Sequence, residues 1–92
     1  MIVRIASEGQ FRLADEDLAR LNGLDNEAVA AVEAGDEARF TELFGQMIAL
    51  IREHGTPLPD DELHGSDVIV PPADTSFEEA RHEFNGDGLI PD

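Results

Sequence analysis

The chain has 92 residues, of which 41% are hydrophobic, and its 21 acids against six bases give a formal net charge of -15. A chain of this length forms one domain around a small core, so we predict a single domain over residues 1–92. The charge argues against nucleic acid or a bare anionic membrane as the partner, because both are polyanions. The absence of cysteine excludes disulfides, thiolate zinc sites and cysteine nucleophiles.

The apolar stretches of the chain are short. Residues 1–7 are followed at once by Glu8, and no run approaches the roughly 18 apolar residues that cross a bilayer. We therefore expect a cytoplasmic protein without a secretion signal or a membrane-spanning helix.

The amino-terminal residues alternate as they do in a β-hairpin. Two runs, 2–6 and 10–13, place apolar side chains on one face and Arg4 and Arg12 on the other. Gly9, in the joint between the runs, tolerates the positive φ of a tight turn. The pattern predicts two antiparallel strands with one buried face.

From Asp15 the apolar spacing changes to three and four residues, which is the spacing of one helical face. Asn22 and Gly23 interrupt this pattern and Asp25 could cap a new helix, so we predict a kink or two shorter helices. Gly35 is expected to end the segment. The apolar face consists of Leu18, Leu21, Leu24, Ala28, Val29 and Val32.

A second helix is predicted from Asp36, which can cap its first turn, to His54 and Gly55 at its end. Residues 34–36 form a tight joint between the helical segments, so we expect an antiparallel helical hairpin. Part of its apolar stripe, or the edge of the β-hairpin, could be covered by another chain, and a homodimer is therefore possible. The stripe consists of Phe40, Leu43, Phe44, Met47, Ile48 and Ile51.

After the helices the chain is rich in proline and acids. Residues 56–65 are typical of a loop, in which residues 60–63 could form one turn. Residues 67–70 predict a third strand, which Pro71 and Pro72 end and which we therefore place at a sheet edge.

The final segment predicts a short helix. Thr75 and Glu78 have the spacing of a capping box, in which each side chain satisfies a free amide of the first turn. Residues 89–91 form an apolar tail that we expect to dock on the core. Together the elements predict an α+β fold, with a small three-stranded sheet packed against the helical hairpin and the short helix.

One acidic stretch has the composition of a divalent-cation site. Oxygen and imidazole donors lie close together in it, and a loop could gather them around an ion. The stretch lacks the alternating ligands and central glycine of a calcium loop, so a solvated acidic loop is the simpler interpretation. The candidate ligands are Asp60, Asp61, Glu62, His64 and Asp67.

The sequence contains no recognisable catalytic arrangement. His54 stands at a predicted helix end, where its positive form suits the helix dipole, and His82 stands among glutamates. The serines lack the Gly-x-Ser-x-Gly context, and the glycines after Asn85 lack the lysine of a phosphate loop. We therefore predict that the chain is not an enzyme and requires no cofactor.

The acids are concentrated in the second part of the chain. Residues 1–52 contain ten acids and five arginines, net -5, whereas residues 53–92 contain eleven acids and one arginine, net -10. An acidic patch there could steer a basic partner onto the protein. An ordinary hydrated surface, adaptation to high salt and mimicry of nucleic acid are alternatives that the sequence leaves open.

Three stretches together resemble one family: MIVRIASEGQFRL, GTPLPDDELHGSDVIVPPAD and TSFEEARHEFNGDGLIPD. They are similar to the PspA-associated domain that accompanies phage shock protein A in envelope-stress systems. The resemblance implies a non-enzymatic accessory protein that associates with phage shock protein A, a coiled-coil protein that remodels membranes. It supplies no catalytic residues. Its most specific elements are Leu58-Pro59 with Asp61-Glu62-Leu63, Ser66-Asp67 before Pro71-Pro72, and Gly88-Leu89-Ile90-Pro91.

For partner binding we select apolar and proline positions within the family motifs, with three acids at the rim. The protein could then be recruited to the inner face of the membrane through its partner, without inserting into lipid. A small metal-binding sensor or enzyme built on residues 60–67 is the alternative function. The residues selected for partner binding are Leu58, Pro59, Asp60, Asp61, Glu62, Leu63, Leu89 and Ile90.

Overall fold

The structure, a computed structural model, describes residues 1–6, 8–59, 65 and 68–84. It confirms the α+β class, but the prediction of three strands is wrong, because the described residues form a four-stranded sheet. The predicted turn at residues 60–63 and the tail at 89–91 lie outside the described residues. The elements are β1 (Ile2–Ile5), β2 (Gly9–Arg12), α1 (Asp15–Ala34), α2 (Glu37–His54), β3 (Thr56–Pro57), β4 (Val68–Val70) and α3 (Phe77–Glu83).

The sheet is mixed, with the strand order β3-β2-β1-β4. β1 and β2 form the predicted antiparallel hairpin, and Gly9 adopts a φ of 118° at its turn. β4 pairs in parallel with β1 at one edge of the sheet, and Pro71 follows it, as predicted. The amino-terminal hairpin, β1 and β2, therefore occupies the centre of the sheet.

The strand β3 replaces part of the predicted loop. It pairs antiparallel with β2, Phe11 opposite Pro57, and the amide of Leu58 extends the pairing by donating to the Gln10 carbonyl at 2.9 Å. Two residues are too few for an alternating pattern, and proline argues against a strand interior. At a sheet edge only one side of the strand needs hydrogen bonds, so proline is tolerated there.

α1 is one helix of 20 residues, so the prediction of two shorter helices divided at Asn22 and Gly23 is wrong. A helix-interior glycine costs about 1 kcal/mol relative to alanine, which the packing of so long a helix outweighs. Asp25, predicted as a cap, is instead fully buried in the middle of α1. The local signals for a helix start are therefore overridden by tertiary packing.

We expect Gly23→Ala to raise the free energy of unfolding by about 0.5–1 kcal/mol. Gly23 is exposed on α1 and nothing lies within 4 Å of where its Cβ would be. Alanine therefore fits, and it restricts the unfolded chain. Gly45→Ala on α2 meets equally open space and provides a second test. Urea denaturation followed by circular dichroism measures both, and a loss of stability in either variant would contradict the prediction.

The two long helices form the predicted antiparallel hairpin. Gly35 ends α1 with a left-handed φ of 72°, and its amide donates to carbonyls of the last turn. Asp36 caps α2 as predicted, because its carboxylate accepts from the Arg39 amide at 3.1 Å. Nδ1 of His54, at the end of α2, lies 3.6 Å from Oδ1 of Asp17, near the start of α1.

The core lies between one face of the sheet and the helices. Val3 and Ile5 of β1 are fully buried, and the entire predicted stripe of α2 is buried with them. Four phenylalanine rings join α3 to α2: the centroid of Phe40 lies 5.6 Å from Phe44, 5.7 Å from Phe77 and 5.1 Å from Phe84. Within the described residues, no helix is both long enough and apolar enough to pass through a membrane.

The capping motif of α3 lies one residue later than predicted. Ser76 is the cap: its Oγ accepts from the Glu79 amide at 3.2 Å and donates to the Glu79 carboxylate at 3.0 Å. Thr75 is half buried, and its amide donates to the Pro72 carbonyl at 2.9 Å. Two overlapping pairs have the same sequence spacing, and only the turn before the helix decides between them.

Candidate partner-binding surfaces

Leu58 and Pro59 are the selected partner-binding residues that fall within the described part of the chain. Leu58 is half buried at the end of β3, and Pro59 is exposed directly after it. Their contribution to binding stays a prediction. The other selected residues lie outside the described ranges: Asp60, Asp61, Glu62, Leu63, Leu89 and Ile90.

The predicted cation-binding stretch also falls outside the described residues. In the part of the chain that the structure describes, no cluster of three or more histidine, aspartate and glutamate side chains could hold a metal ion. His54 contacts Asp17 at the helix ends, and His82 is exposed on α3. The candidate ligands outside the described ranges are Asp60, Asp61, Glu62, His64 and Asp67.

An open groove of about 640 Å³ runs between α1 and α2. Leu24 and Leu50 supply apolar lining, and the rim mixes positive Arg20 with negative Glu27 and Glu53. Because the rim combines both signs of charge, it favours neither an anionic nor a cationic ligand. We therefore assign no class of ligand to this groove.

The face of the sheet opposite the core has a composition unlike that of the whole protein. Arg4 lies between the buried Val3 and Ile5 and so points away from the core. Residues paired across strands share a face, and the register thus defines the whole set. We call this set the outer face; it consists of Ile2, Arg4, Gln10, Arg12, Thr56 and Ile69.

The outer face carries two exposed arginines and no acid. Among the described residues, Arg4 and Arg12 have no carboxylate within 4.0 Å, whereas the other four arginines each have at least one. The outer face is therefore a positive surface on a strongly acidic protein. The paired arginines are Arg20 with Asp17, Arg39 with Glu27 and Glu42, Arg52 with Glu8, and Arg81 with Glu78.

A mostly apolar depression of about 380 Å³ adjoins the outer face at β4. Ile69 stands at its border and is 61% exposed, which is unusual for a large β-branched side chain. An exposed apolar side chain beside an apolar depression is typical of a contact surface. The remaining lining residues are Ala6, Pro71, Pro72, Thr75 and Glu79.

A bidentate ion pair fixes the turn between β1 and β2 to α2. Nε and Nη2 of Arg52 donate to the two carboxylate oxygens of Glu8, at 2.8 and 2.6 Å. This hydrogen bonding lowers the pKa of Glu8 below its ordinary value and raises the pKa of Arg52. The Glu8 carboxylate is thereby bound to α2, so the turn adds no free acid beside the outer face.

We expect Glu8→Gln to lower the melting temperature at neutral pH, and this difference from the parent to shrink as the pH falls below 4.5. The pKa of Glu8 is lowered by folding, so its contribution is present above the ordinary value of 4.5 and is lost as the pH falls through the folded value. Thermal denaturation from neutral to acid pH measures the difference from the parent. Glu33→Gln, at an exposed site of α1, is the control. A difference that stays constant over the range would contradict the prediction.

The outer face is the feature that the sequence analysis did not select. Alternation predicts that Arg4 and Arg12 lie on the exposed face of the hairpin, but the residues selected for partner binding all lie in the acidic second part of the chain. The usable signal is that Arg20 and Arg81 each have an acid three residues earlier in the same helix, a spacing at which helical side chains meet. Arg4 and Arg12 lie in strands, where residues three apart point to opposite faces.

Comparison with known proteins gives one match. A family model described as PspA-Associated protein matches residues 1–92, the whole chain. The search of curated proteins found no match, and neither did the search of solved structures. The matched range includes all three stretches that carry the resemblance in the sequence.

Proposed function

Since the chain belongs to the PspA-associated protein family, we propose that it is a non-enzymatic accessory protein that binds phage shock protein A and modulates the envelope stress response. The match of the family model over the whole chain is the observation that carries this proposal. A match confined to the generic helical hairpin would carry far less, because such hairpins occur in many unrelated proteins.

The described structure supplies what a binding protein needs. Contacts among four phenylalanine rings and the capping of α2 stabilise the core. The surfaces that the sheet and helices form on this core therefore exist before a partner binds. Preformed surfaces bind with less loss of conformational entropy than segments that order on binding. The outer face and the depression that adjoins it at β4 provide such surfaces.

We further propose that the protein acts at the inner face of the membrane by binding its partner and does not contact lipid directly. The formal net charge of -15 supports this step. Anionic headgroups on the cytoplasmic leaflet repel an acidic protein, and a polybasic segment would be needed to reverse the effect. A partner that binds membrane would bring the protein there without such a segment.

Co-purification tests the proposed function. The tagged full chain is expressed in its own cells, isolated at about 0.15 M salt, and examined for retained phage shock protein A. The tag alone serves as the control. We expect phage shock protein A to be enriched with the chain and to bind it directly when both are purified. Failure of the purified proteins to bind would overturn the proposal.

A further inference from the structure

We propose that the outer face of the sheet is the partner-binding surface, and that it fits an acidic segment carrying at least one apolar side chain. This inference rests on the proposed function and specifies where and by what chemistry the partner binds. It differs from the sequence-based expectation, in which acids of this chain meet a basic partner.

The charge of the outer face identifies the kind of partner. Arg4 and Arg12 are exposed, and no described carboxylate lies within 4.0 Å of either, although acids outnumber bases 21 to six. Guanidinium groups form bidentate hydrogen bonds with carboxylates, and these bonds are about twice as strong as neutral ones. At about 0.15 M salt the Debye length is near 8 Å, so such contacts outweigh repulsion from remote acids.

The spacing of the arginines suits a short regular segment. Arg4 pairs with Gln10 in the antiparallel register, and Arg12 lies two residues beyond Gln10 on the same face. Such diagonal neighbours are about 7–8 Å apart. Carboxylates at alternate positions of a strand, or three or four residues apart on a helix, have a spacing that two long arginine side chains can match.

The expectation that the partner segment carries an apolar side chain comes from β4, which lies beside Arg4 on the side away from β2. Ile69 is its cross-strand neighbour on β4, and the depression of about 380 Å³ begins at Ile69 and continues to Pro71 and Pro72. An apolar side chain of the partner placed there would cover exposed isoleucine surface while the neighbouring carboxylate reaches Arg4. Burial of apolar area and charge-assisted hydrogen bonds then act side by side, as at the centre and rim of ordinary interfaces.

Other occupants fit this surface less well. A second copy of the chain, docked face to face about a two-fold axis, would bring arginines against arginines. Nucleic acid and anionic lipid offer phosphates, but both are bound through many basic residues, whereas this face provides two arginines, which release few counterions. An acidic protein segment supplies both carboxylates and an apolar side chain.

The test compares two double variants that change the net charge equally. Arg4→Gln/Arg12→Gln alters the outer face, whereas Arg20→Gln/Arg39→Gln removes exposed arginines from the helices. Calorimetry with purified phage shock protein A gives the dissociation constant at about 0.15 M salt. We expect the first pair to raise the dissociation constant at least about tenfold and the second to change it by less than about threefold. Ile69→Thr should raise it about fivefold.

A charge-preserving variant extends the test. Arg4→Lys/Arg12→Lys keeps both positive charges but loses bidentate geometry, so its dissociation constant should lie between those of the parent and the glutamine pair. All these residues are exposed, and thermal denaturation is expected to give melting temperatures within a few degrees of the parent.

The outcomes separate the two proposals. If the parent chain does not bind phage shock protein A, the proposed function fails and this inference fails with it. If the parent binds and both glutamine pairs bind equally well, this inference alone is wrong. If the parent chain binds phosphatidylglycerol vesicles and the Arg4→Gln/Arg12→Gln pair does not, while both bind phage shock protein A equally well, the surface would be assigned to lipid. A parent dimer that the Arg4→Gln/Arg12→Gln pair dissociates, again with partner binding unchanged, would assign it to a second copy.

Discussion

Phe40→Ala is expected to lower the free energy of unfolding by about 3–5 kcal/mol. Phe40 is 1% exposed and its ring contacts those of Phe44, Phe77 and Phe84. Truncation removes the transfer free energy of the ring and leaves a cavity between α2 and α3. The neighbouring rings lose their contacts with Phe40 as well, so the short helix α3 loses a principal attachment to the core.

This loss is a large part of the total stability, because domains of this kind have free energies of unfolding of only about 5–15 kcal/mol. Urea denaturation followed by circular dichroism measures the loss. Phe40→Leu keeps most of the buried volume and should cost less than about half as much. If alanine and leucine destabilise the protein equally, the explanation by cavity formation is wrong.

Gly55→Ala is expected to lower the free energy of unfolding by about 1–3 kcal/mol. The φ of Gly55 is -77°, so its backbone conformation suits any residue and the constraint is space. A Cβ would collide with the carbonyl oxygen of Ile51, to which the Gly55 amide donates, and would lie 2.9 Å from Cβ of Phe11. These two close contacts are relieved only if the end of α2 or the strand β2 moves.

The matched controls for Gly55→Ala are the same substitutions at Gly23 and Gly45. Both positions lie in helices where a Cβ meets nothing within 4 Å, so alanine should stabilise there and destabilise at Gly55. Parallel urea titrations measure all three. A stabilising effect at all three positions would show that α2 and the sheet adjust freely at their junction.

Periodicity predicts the long elements of this fold well because burial is regular in them. Val3 and Ile5 alternate with Arg4, and the strand that they predict is observed with the expected buried face. In the 18-residue helix α2, buried residues recur at helical spacing from Phe40 to Ile51, and the prediction of the stripe is confirmed throughout. A signal repeated over several turns is stronger than any single disfavoured residue within it.

The errors arise where one or two residues decide the structure. β3 has two residues and depends on the backbone of β2, which no local pattern of side chains records. Gly23 carries a helix-breaking signal that the rest of α1 overrides, and Thr75 and Ser76 are equivalent as caps in sequence. At β3 and Gly23 tertiary packing determines the outcome, and at Ser76 the turn before the helix does; spacing alone represents neither.

The candidate surface was missed for a related reason. Averages of composition and charge over long ranges of the chain indicate only that its second part is more acidic. The positive surface arises because β1 and β2 place Arg4 and Arg12 on one face while helical arginines find acids nearby. Among the described residues, local pairing thus leaves Arg4 and Arg12 without a carboxylate partner, although the total charge is strongly negative.

The short outer strands of the sheet limit how anything can attach to it. β3 offers two residues, one of which is a proline without an amide hydrogen, and β4 offers three before Pro71. In the described part of the chain, a peptide therefore finds too few free backbone groups at either edge to add a strand, which also disfavours edge-to-edge association into fibres. Recognition through the sheet must accordingly rely on side chains, where it can be altered one residue at a time without loss of the fold.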